Sequence, residues 1–252
     1  MPDVPLVWFH LCEPRVIPVA RFSSRQLTVG PFMPDADHRG APVSRRAPRG
    51  RFDLAELLAP VRSTFRPEIV LLFSDASRAN MPENLAAVPG IKVLVVGDTQ
   101  HLRTPLQTML GYADEQGFDW IISPHNRQHL HFFLEAGFPN VAWLPNLECD
   151  IEASPASVTK RRRSAVGSGQ TGAFHPARRR MVDALARAGV PYEHCRGPRD
   201  LVSEVYGQSS VVLNRSLNGD LNLRVSEALG AGACLVTDAL SPQSGLDLLL
   251  ER

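Results

Sequence analysis

The stretch VVLNRSLNGDLNLRVSEALGAGACLVTD, from Val211 to Asp238, decides the fold class of this chain. It begins with an apolar run typical of a buried strand and continues into a polar loop, and helical spacing starts near Asn222. The helix pattern ends in glycine, and a second apolar run follows. A strand, a helix and a second strand in this order predict one unit of a parallel α/β sheet.

The same alternation of apolar runs and amphipathic segments extends along the rest of the chain. The compact runs EIVLLFS (68–74) and KVLVVGD (92–98) are typical of parallel strands that are covered on both faces. Residues 33–51 are rich in proline, glycine and arginine, which indicates a mobile loop. The sequence therefore predicts an α/β protein with parallel sheets.

A polar segment without periodicity, LECDIEASPASVTKRRR (147–163), interrupts this alternation, which then restarts. We predict two Rossmann-like domains, residues 1–150 and 151–252, with a cleft between them. The second predicted domain stops in the helix-like segment GLDLLLER (245–252), although a doubly wound domain usually needs a further strand and helix. We expect this domain to be truncated at its C-terminus, and the alternative is an unusually small domain.

Composition and charge argue against several classes of function. The 252 residues are 44% hydrophobic and 21% charged with a formal net charge of +1, so no general attraction to nucleic acid or to an anionic membrane is expected. The four cysteines form no CxxC pair, so neither a zinc-ligand spacing nor a small disulfide scaffold is indicated. The N-terminus lacks a signal-peptide pattern, and no apolar stretch approaches about 18 residues. We therefore expect a cytoplasmic protein without a transmembrane segment.

A glycine-rich loop opens the second predicted domain. Gly167 and Ser168 follow a strand pattern, and the helix pattern after the loop carries Arg178 and Arg179 in its first turn. Ligands of open parallel sheets bind at the carboxyl ends of the strands, where a helix N-terminus attracts anions. An arginine in this place can pair with phosphate oxygens through two N–H groups. The alternative is a flexible loop before a solvated basic helix.

The polar loop of the opening stretch provides a second cluster, consisting of Asn214, Asn222, Arg224 and Glu227. Arg224 and Glu227 lie three positions apart and so share one face of the predicted helix. A carboxylate here can accept hydrogen bonds from both hydroxyls of a ribose. The alternatives are structural: Asn222 caps the helix, and Arg224 and Glu227 form one exposed ion pair.

The motif LNGDLNLRVSEALGAGACLVTD (217–238) resembles the C-terminal donor site of GT-B type nucleotide-sugar glycosyltransferases. Within them it is most similar to group 1 and its CgeB-like branch, that of the spore maturation protein. VGDTQHLR, LEAGFPNVAWLPN and SAVGSGQTGAFHPARRRMVDAL fit this branch in order and spacing, so the resemblance covers about residues 90–252. The resemblance implies that Glu227 binds the nucleotide ribose, that Asn222 and Arg224 line the donor pocket, and that the loop of Gly167 and Ser168 faces the diphosphate.

The sequence departs from this family at Gly219, where many relatives have a glutamate that holds the donor sugar. The resemblance implies a hexosyltransferase-like enzyme that moves a sugar from a nucleotide-diphosphate sugar to a hydroxyl group of a glycan, a protein or a small molecule. The nucleotide sugar is then a substrate, and neither a cofactor nor a metal is expected. Two alternatives remain: a nucleotide-sugar epimerase on the same scaffold, and a non-catalytic GT-B-like binding module.

The resemblance also implies that the N-terminal domain supplies the acceptor side and any catalytic base. Asp98 and His101 in VVGDTQH and His10 in VWFHL follow predicted strands. A histidine or a carboxylate can take the proton of an acceptor hydroxyl while the sugar carbon develops positive charge. The alternative for each of the three is a hydrogen-bonded loop residue.

Overall fold

A computed structural model describes residues 2–99, 102–147, 162–173, 175–195, 197 and 199–250. The chain divides into two compact units, residues 1–150 and 151–252. Both units contain parallel sheets, which confirms the predicted α/β class. Within the described ranges, no helix combines the length and the apolar character needed to cross a membrane.

The described residues of the first unit form ten strands and three α-helices, and five strands precede the first helix. Its strands are β1 Leu6–Phe9, β2 Gln26–Gly30, β3 Ala36–His38, β4 Ala41–Arg46, β5 Gly50–Asp53, β6 Ile69–Ser74, β7 Asn80–Glu83, β8 Ile91–Val96, β9 Trp120–Ser123 and β10 Val141–Trp143. Its helices are α1 Leu54–Leu58, α2 Pro105–Gln116 and α3 Leu130–Glu135, with 3-10 turns at Ala59–Val61, Leu85–Ala87 and Arg127–His129.

Eight of these strands form one sheet in the order β10-β9-β8-β6-β1-β2-β4-β3, and β5 and β7 form a small sheet of their own. All pairs of the large sheet are parallel except β3 with β4. The strand β1 is buried along its whole length and pairs with β2 on one side and β6 on the other. The strand order reverses at β1, so the carboxyl ends of β1 and β6 mark the switch point where open sheets bind ligands.

The prediction of a mobile loop over residues 33–51 is wrong. The segment forms the hairpin of β3 and β4, and β4 joins the large sheet beside β2. The two residues that connect β3 and β4, Arg39 and Gly40, have φ angles of 52° and 79°, as a type I′ hairpin turn requires. The Ser44 hydroxyl donates to the Pro34 carbonyl at 2.7 Å. Composition did not indicate these strands, because the pairing of β4 with β2 depends on a strand elsewhere in the sequence.

The second unit contains a four-stranded parallel sheet in the order β12-β11-β13-β14. Its switch point lies between the carboxyl ends of β11 and β13. Helices α5 and α6 pack against this sheet. The elements of this unit are β11 Arg162–Ser168, α4 Pro176–Arg187, β12 Tyr192–Cys195, α5 Arg199–Gln208, β13 Ser209–Asn214, α6 Leu223–Gly230, β14 Leu235–Thr237 and α7 Leu246–Leu250.

Small residues at the end of α6 belong to the core of the second unit. Ala228, Ala231 and Ala233 are all buried, and they pack in one cluster with Val166 and Val212 of the sheet. Their small size lets α6 approach the sheet closely, so this turn serves the packing of neighbouring elements.

Candidate functional site

Two arginine side chains meet at the carboxyl end of β11, beside the switch point of the second sheet. Gly169 has a φ of +94°, and a Cβ atom built there would lie 2.5 Å from Nη2 of Arg224 and 3.0 Å from Nη1 of Arg178. The positive φ favours glycine at this position, and a Cβ atom here would displace the ends of the two arginine side chains. The chain thus brings two cations together against one glycine loop.

Arg178 lies in the first turn of α4 and is only 5% exposed. Its Nη1 donates to the Gln170 carbonyl at 2.7 Å and its Nη2 to the Arg215 carbonyl at 2.8 Å. Its buried Nε has no hydrogen-bond partner among the residues that the structure describes. Burial, and then the charge of Arg224, lower the pKa of Arg178 to about 10. The negative charge of the buried Asp220 partly opposes this shift. Arg178 therefore stays charged at neutral pH, and its hydrogen-bond acceptors are two neutral carbonyl oxygens, which suits it to a bound anion.

Two asparagine side chains orient Arg224. Its Nη1 donates to Oδ1 of Asn214 at 2.9 Å and to Oδ1 of Asn222 at 3.2 Å. Asn214 is 2% exposed, and its amide nitrogen donates to the Thr237 hydroxyl at 2.9 Å. Asn222 occupies the N-cap position of α6 but makes no side-chain cap hydrogen bond, since its amide oxygen accepts from Arg224. In the described part of the chain, Arg224 forms no ion pair, so the exposed ion pair with Glu227 is not found.

Glu227 is half-buried in α6, near two groups at the carboxyl ends of β11 and β12. Burial raises the pKa of Tyr206, and the negative charge of Glu227 adds to this shift. Burial also raises the pKa of Cys195, and the charges of Glu193 and Glu227 add to it. The Tyr206 hydroxyl lies 2.5 Å from Oγ of Ser168. Tyr206 and Ser168 are therefore in direct contact at the carboxyl end of β11, and the charge of Glu227 acts on the Tyr206 hydroxyl.

Gly167 is required for close packing below this edge. A Cβ atom there would lie 2.8 Å from the Tyr192 hydroxyl and 3.0 Å from the Leu213 carbonyl of β13. Burial raises the pKa of Tyr192, and the charges of Arg178 and Arg224 oppose this shift. The charges of both arginines thus act on the Tyr192 hydroxyl. Neither Tyr192 nor Tyr206 lies in the motifs of the sequence analysis. The sequence does indicate that Tyr206 is buried, because it lies four positions after Val202 and so shares one apolar face of a helix.

Gly219, where many members of the family have a glutamate, lies in a tight turn. Gly219 has a φ of +80°, and an added Cβ atom would lie 2.8 Å from the backbone nitrogen of Ser241. That nitrogen donates to the Gly219 carbonyl at 2.9 Å. A glutamate therefore does not fit this backbone, which explains why the chain has glycine here. The adjacent Asp220 is 2% exposed and accepts from the backbone nitrogen of Leu217 at 3.2 Å.

Arg179 does not share the environment of Arg178. It is exposed on α4, one position and about 100° of helix rotation away from the buried Arg178. The structure therefore brings Ser168, Arg178, Asn214, Asn222, Arg224 and Glu227 to one sheet edge and leaves Arg179 in solvent.

The candidate bases of the first unit differ in environment. His10 directly follows β1 and is 3% exposed; its Nε2 donates to the Ile17 carbonyl at 3.0 Å, and burial lowers its pKa. Asp98 follows β8 and is half-buried, next to Thr99, whose hydroxyl is 2.6 Å from Nδ1 of His129. His101 lies outside the described residues. Within those residues, no three His, Cys, Asp or Glu side chains are grouped to hold a metal ion, and metal independence stays a prediction.

A family model described as "Glycosyl transferase-like" matches residues 170–252. No curated protein matches the chain. The matched range includes α4 to α7 and the side chains of Arg178, Asn214, Arg224 and Glu227. The C-terminal part of this chain, with the arginine pair at its switch point, is therefore similar to glycosyltransferases.

Proposed function

We propose that the protein transfers a sugar from a nucleotide-diphosphate sugar to a hydroxyl-bearing acceptor, as a GT-B type enzyme of the CgeB-like branch. The observation that carries this proposal is the pair of Arg178 and Arg224 against Gly169 at the switch point of the second sheet. Two guanidinium groups that hydrogen-bond to carbonyl and amide oxygens have positive charge available for a diphosphate. Both lie in the range that matches the glycosyl transferase-like family.

The chemistry follows from where charge develops. When the bond between the anomeric carbon and the diphosphate breaks, negative charge grows on the leaving oxygens and positive charge on the sugar. Arg178 and Arg224 stabilise the leaving diphosphate, because they are already oriented before the reaction. Glu227 accepts hydrogen bonds from the ribose hydroxyls of the same nucleotide. These assignments need no cofactor and no metal ion.

The acceptor side belongs to the first unit in this proposal, and the two units act as the two Rossmann-like domains of the GT-B type. Asp98, His101 and His10 are the candidate bases for the acceptor hydroxyl. Of these, His10 lies at the switch point of the first sheet with Nε2 bound to a carbonyl, so only its Nδ1 is available to take a proton. Because His10 is buried and Asp98 is half-buried, Asp98 is favoured as the group that reaches an acceptor.

Titration with UDP, GDP, dTDP and CMP tests the binding part of the proposal. At least one nucleotide should bind the wild-type protein, and Arg178→Ala and Arg224→Ala should each weaken that binding by about tenfold or more, since bonds to charged groups contribute roughly 1.5–3 kcal/mol. The control is Arg187→Ala, an exposed arginine in the last turn of α4, which should bind as the wild type does. Unchanged affinity in both site variants would remove the diphosphate assignment.

Incubation with a panel of nucleotide sugars separates the proposed reaction from its alternatives. Release of the nucleoside diphosphate supports glycosyl transfer, whereas an epimerised nucleotide sugar identifies an epimerase. Binding without any turnover identifies a non-catalytic module.

A further inference from the structure

Tyr206 connects the core of the second unit with the candidate nucleotide site. It lies in α5, is 0% exposed, and packs in the apolar cluster that includes Val166 and Val212. Its ring therefore belongs to the core, but its hydroxyl reaches the carboxyl end of β11 and lies 2.5 Å from Oγ of Ser168. Glu227 is close enough for its charge to act on this hydroxyl.

We propose that Tyr206 is a positioning residue for the nucleotide site, because its hydroxyl donates to Ser168 and directs the Ser168 proton towards the bound diphosphate. This inference rests on the proposed function, since it requires a diphosphate at the loop of Ser168 and Gly169. The family resemblance assigns a role to Ser168 and Glu227 but none to Tyr206.

The direction of the hydrogen bond follows from the surroundings of the two hydroxyls. The Tyr206 hydroxyl is fully buried, and burial raises its pKa, so the proton stays on the phenol at any pH of interest. A buried donor needs an acceptor, and Oγ of Ser168 is the acceptor at hydrogen-bond distance. When Oγ accepts from Tyr206, its own proton is free to point away from the core, since Ser168 is half-exposed. Gly169, the next residue along the loop, is the one that the arginine pair lies against. Without the phenol, the Ser168 hydroxyl loses this restraint and rotates.

A matched tyrosine is available in the first unit. Tyr112 is 1% exposed, and its hydroxyl donates to the Pro82 carbonyl at 2.6 Å. Tyr112→Phe therefore removes a buried phenol hydroxyl and one short hydrogen bond, as Tyr206→Phe does, but at a place far along the chain from the candidate site. Both substitutions keep the ring that fills the core, so both proteins should fold with a similar loss of thermal stability.

A double-mutant cycle on nucleotide affinity tests the inference. The wild type, Tyr206→Phe, Ser168→Ala and the double variant are titrated with whichever of UDP, GDP, dTDP and CMP the wild type binds, and Tyr112→Phe is the control. We expect Tyr206→Phe to weaken binding by about threefold to tenfold and Ser168→Ala by a similar factor. The double variant should bind no more weakly than Ser168→Ala alone, because both changes remove the same contact.

The outcomes separate this inference from the proposed function. Two results would overturn the positioning role and leave the proposed function standing, provided that the wild type binds a nucleotide. One is a Tyr206→Phe protein with the same affinity as Tyr112→Phe. The other is a double variant in which the losses of binding free energy from Tyr206→Phe and Ser168→Ala add. If Tyr206→Phe does not fold, unchanged affinity in Ser168→Ala overturns the inference by itself. If the wild type binds none of the nucleotides, the proposed function fails and the inference fails with it.

Discussion

Single residues of the second unit carry the proposal of an anion site. Burying a cation such as Arg178 is costly, and placing Arg224 beside it adds repulsion, which is why the pKa of Arg178 is lowered to about 10. A diphosphate bound as proposed would relieve both penalties, because its negative charge would offset the two positive charges. The neighbouring residues Asn214, Asn222 and Gly169 shape this arrangement without neutralising it.

Glu227 gives the first prediction at this scale. Glu227→Ala should weaken nucleotide binding by about one to two powers of ten, since hydrogen bonds to a charged acceptor contribute roughly 1.5–3 kcal/mol. Glu227→Gln should lie between the alanine variant and the wild type, because it keeps the shape and loses the charge. Isothermal titration of folded variants measures this, and a Glu227→Ala protein with wild-type affinity would show that the carboxylate does not bind ribose.

Gly169 offers a prediction with a built-in control. Gly169→Ala should lower the free energy of unfolding by about 1–3 kcal/mol, because of its positive φ, and it should also weaken nucleotide binding by displacing Arg224. In the same loop, a Cβ atom on Gly172 would have no atom within 4 Å, so Gly172→Ala should leave affinity nearly unchanged. Urea unfolding and titration measure the two effects. Equal affinities for the two variants would contradict the contact between Gly169 and the guanidinium groups.

The burial of His10 predicts how the stability of the protein depends on pH. Burial lowers its pKa below the ordinary value of 6.5, so the unfolded chain takes up this proton at a higher pH than the folded chain. As pH falls below about 6.5, the free energy of unfolding should therefore decrease, by at most about 1.4 kcal/mol per pH unit for this one group. His10→Gln should show a smaller difference in stability between pH 7.5 and pH 5.5 than the wild type does. An unchanged pH dependence in urea unfolding would contradict the buried neutral imidazole.

At the scale of single elements, helix α2 contains one glycine in its interior and one at its C-cap, and the two should respond differently to substitution by alanine. Gly111 lies exposed inside the helix, and Gly117 forms its C-cap with a φ of 65°. An added Cβ atom meets nothing within 4 Å at either position, so the difference between them is conformational. Gly111→Ala should stabilise the protein by about 0.5–1 kcal/mol, and Gly117→Ala should destabilise it by about 1 kcal/mol. Changes of the same sign in thermal unfolding would contradict the assigned helix end.

At the scale of the whole molecule, the two units have separate hydrophobic cores. The residues of the candidate nucleotide site all belong to the second unit, so nucleotide binding should protect that unit most. At a nucleotide concentration of about 100 times Kd, binding stabilises the folded form by about 2.7 kcal/mol. Hydrogen exchange measured with and without nucleotide should show the largest gain in protection within residues 162–230. A gain concentrated in residues 2–147 would place the nucleotide in the first unit.

The amino-acid sequence by itself determined the α/β class, the positions of most strands, and the clustering of Asn222, Arg224 and Glu227 near one strand end. These features are local. Hydrophobic periodicity and loop composition indicate which residues of a segment are buried, whichever other segment covers them. Helix α2 is less apparent in the sequence, since its amphipathic pattern is weak. The candidate site was predictable where its residues lie within one strand–helix–strand unit.

Only the tertiary structure decided which residues meet across the sheet. The rotation of α4 against the sheet buries Arg178 and exposes Arg179, although the two are adjacent and chemically identical. The strand order brings β11 beside β13, so that Gly169 meets Arg224 and Ser168 meets Tyr206 from distant parts of the chain. Such contacts depend on strand pairing between segments separated by tens of residues, and no local pattern encodes which strands will pair. For this reason the sequence indicates which residue types are candidates for the site, and the fold decides which of them lie together.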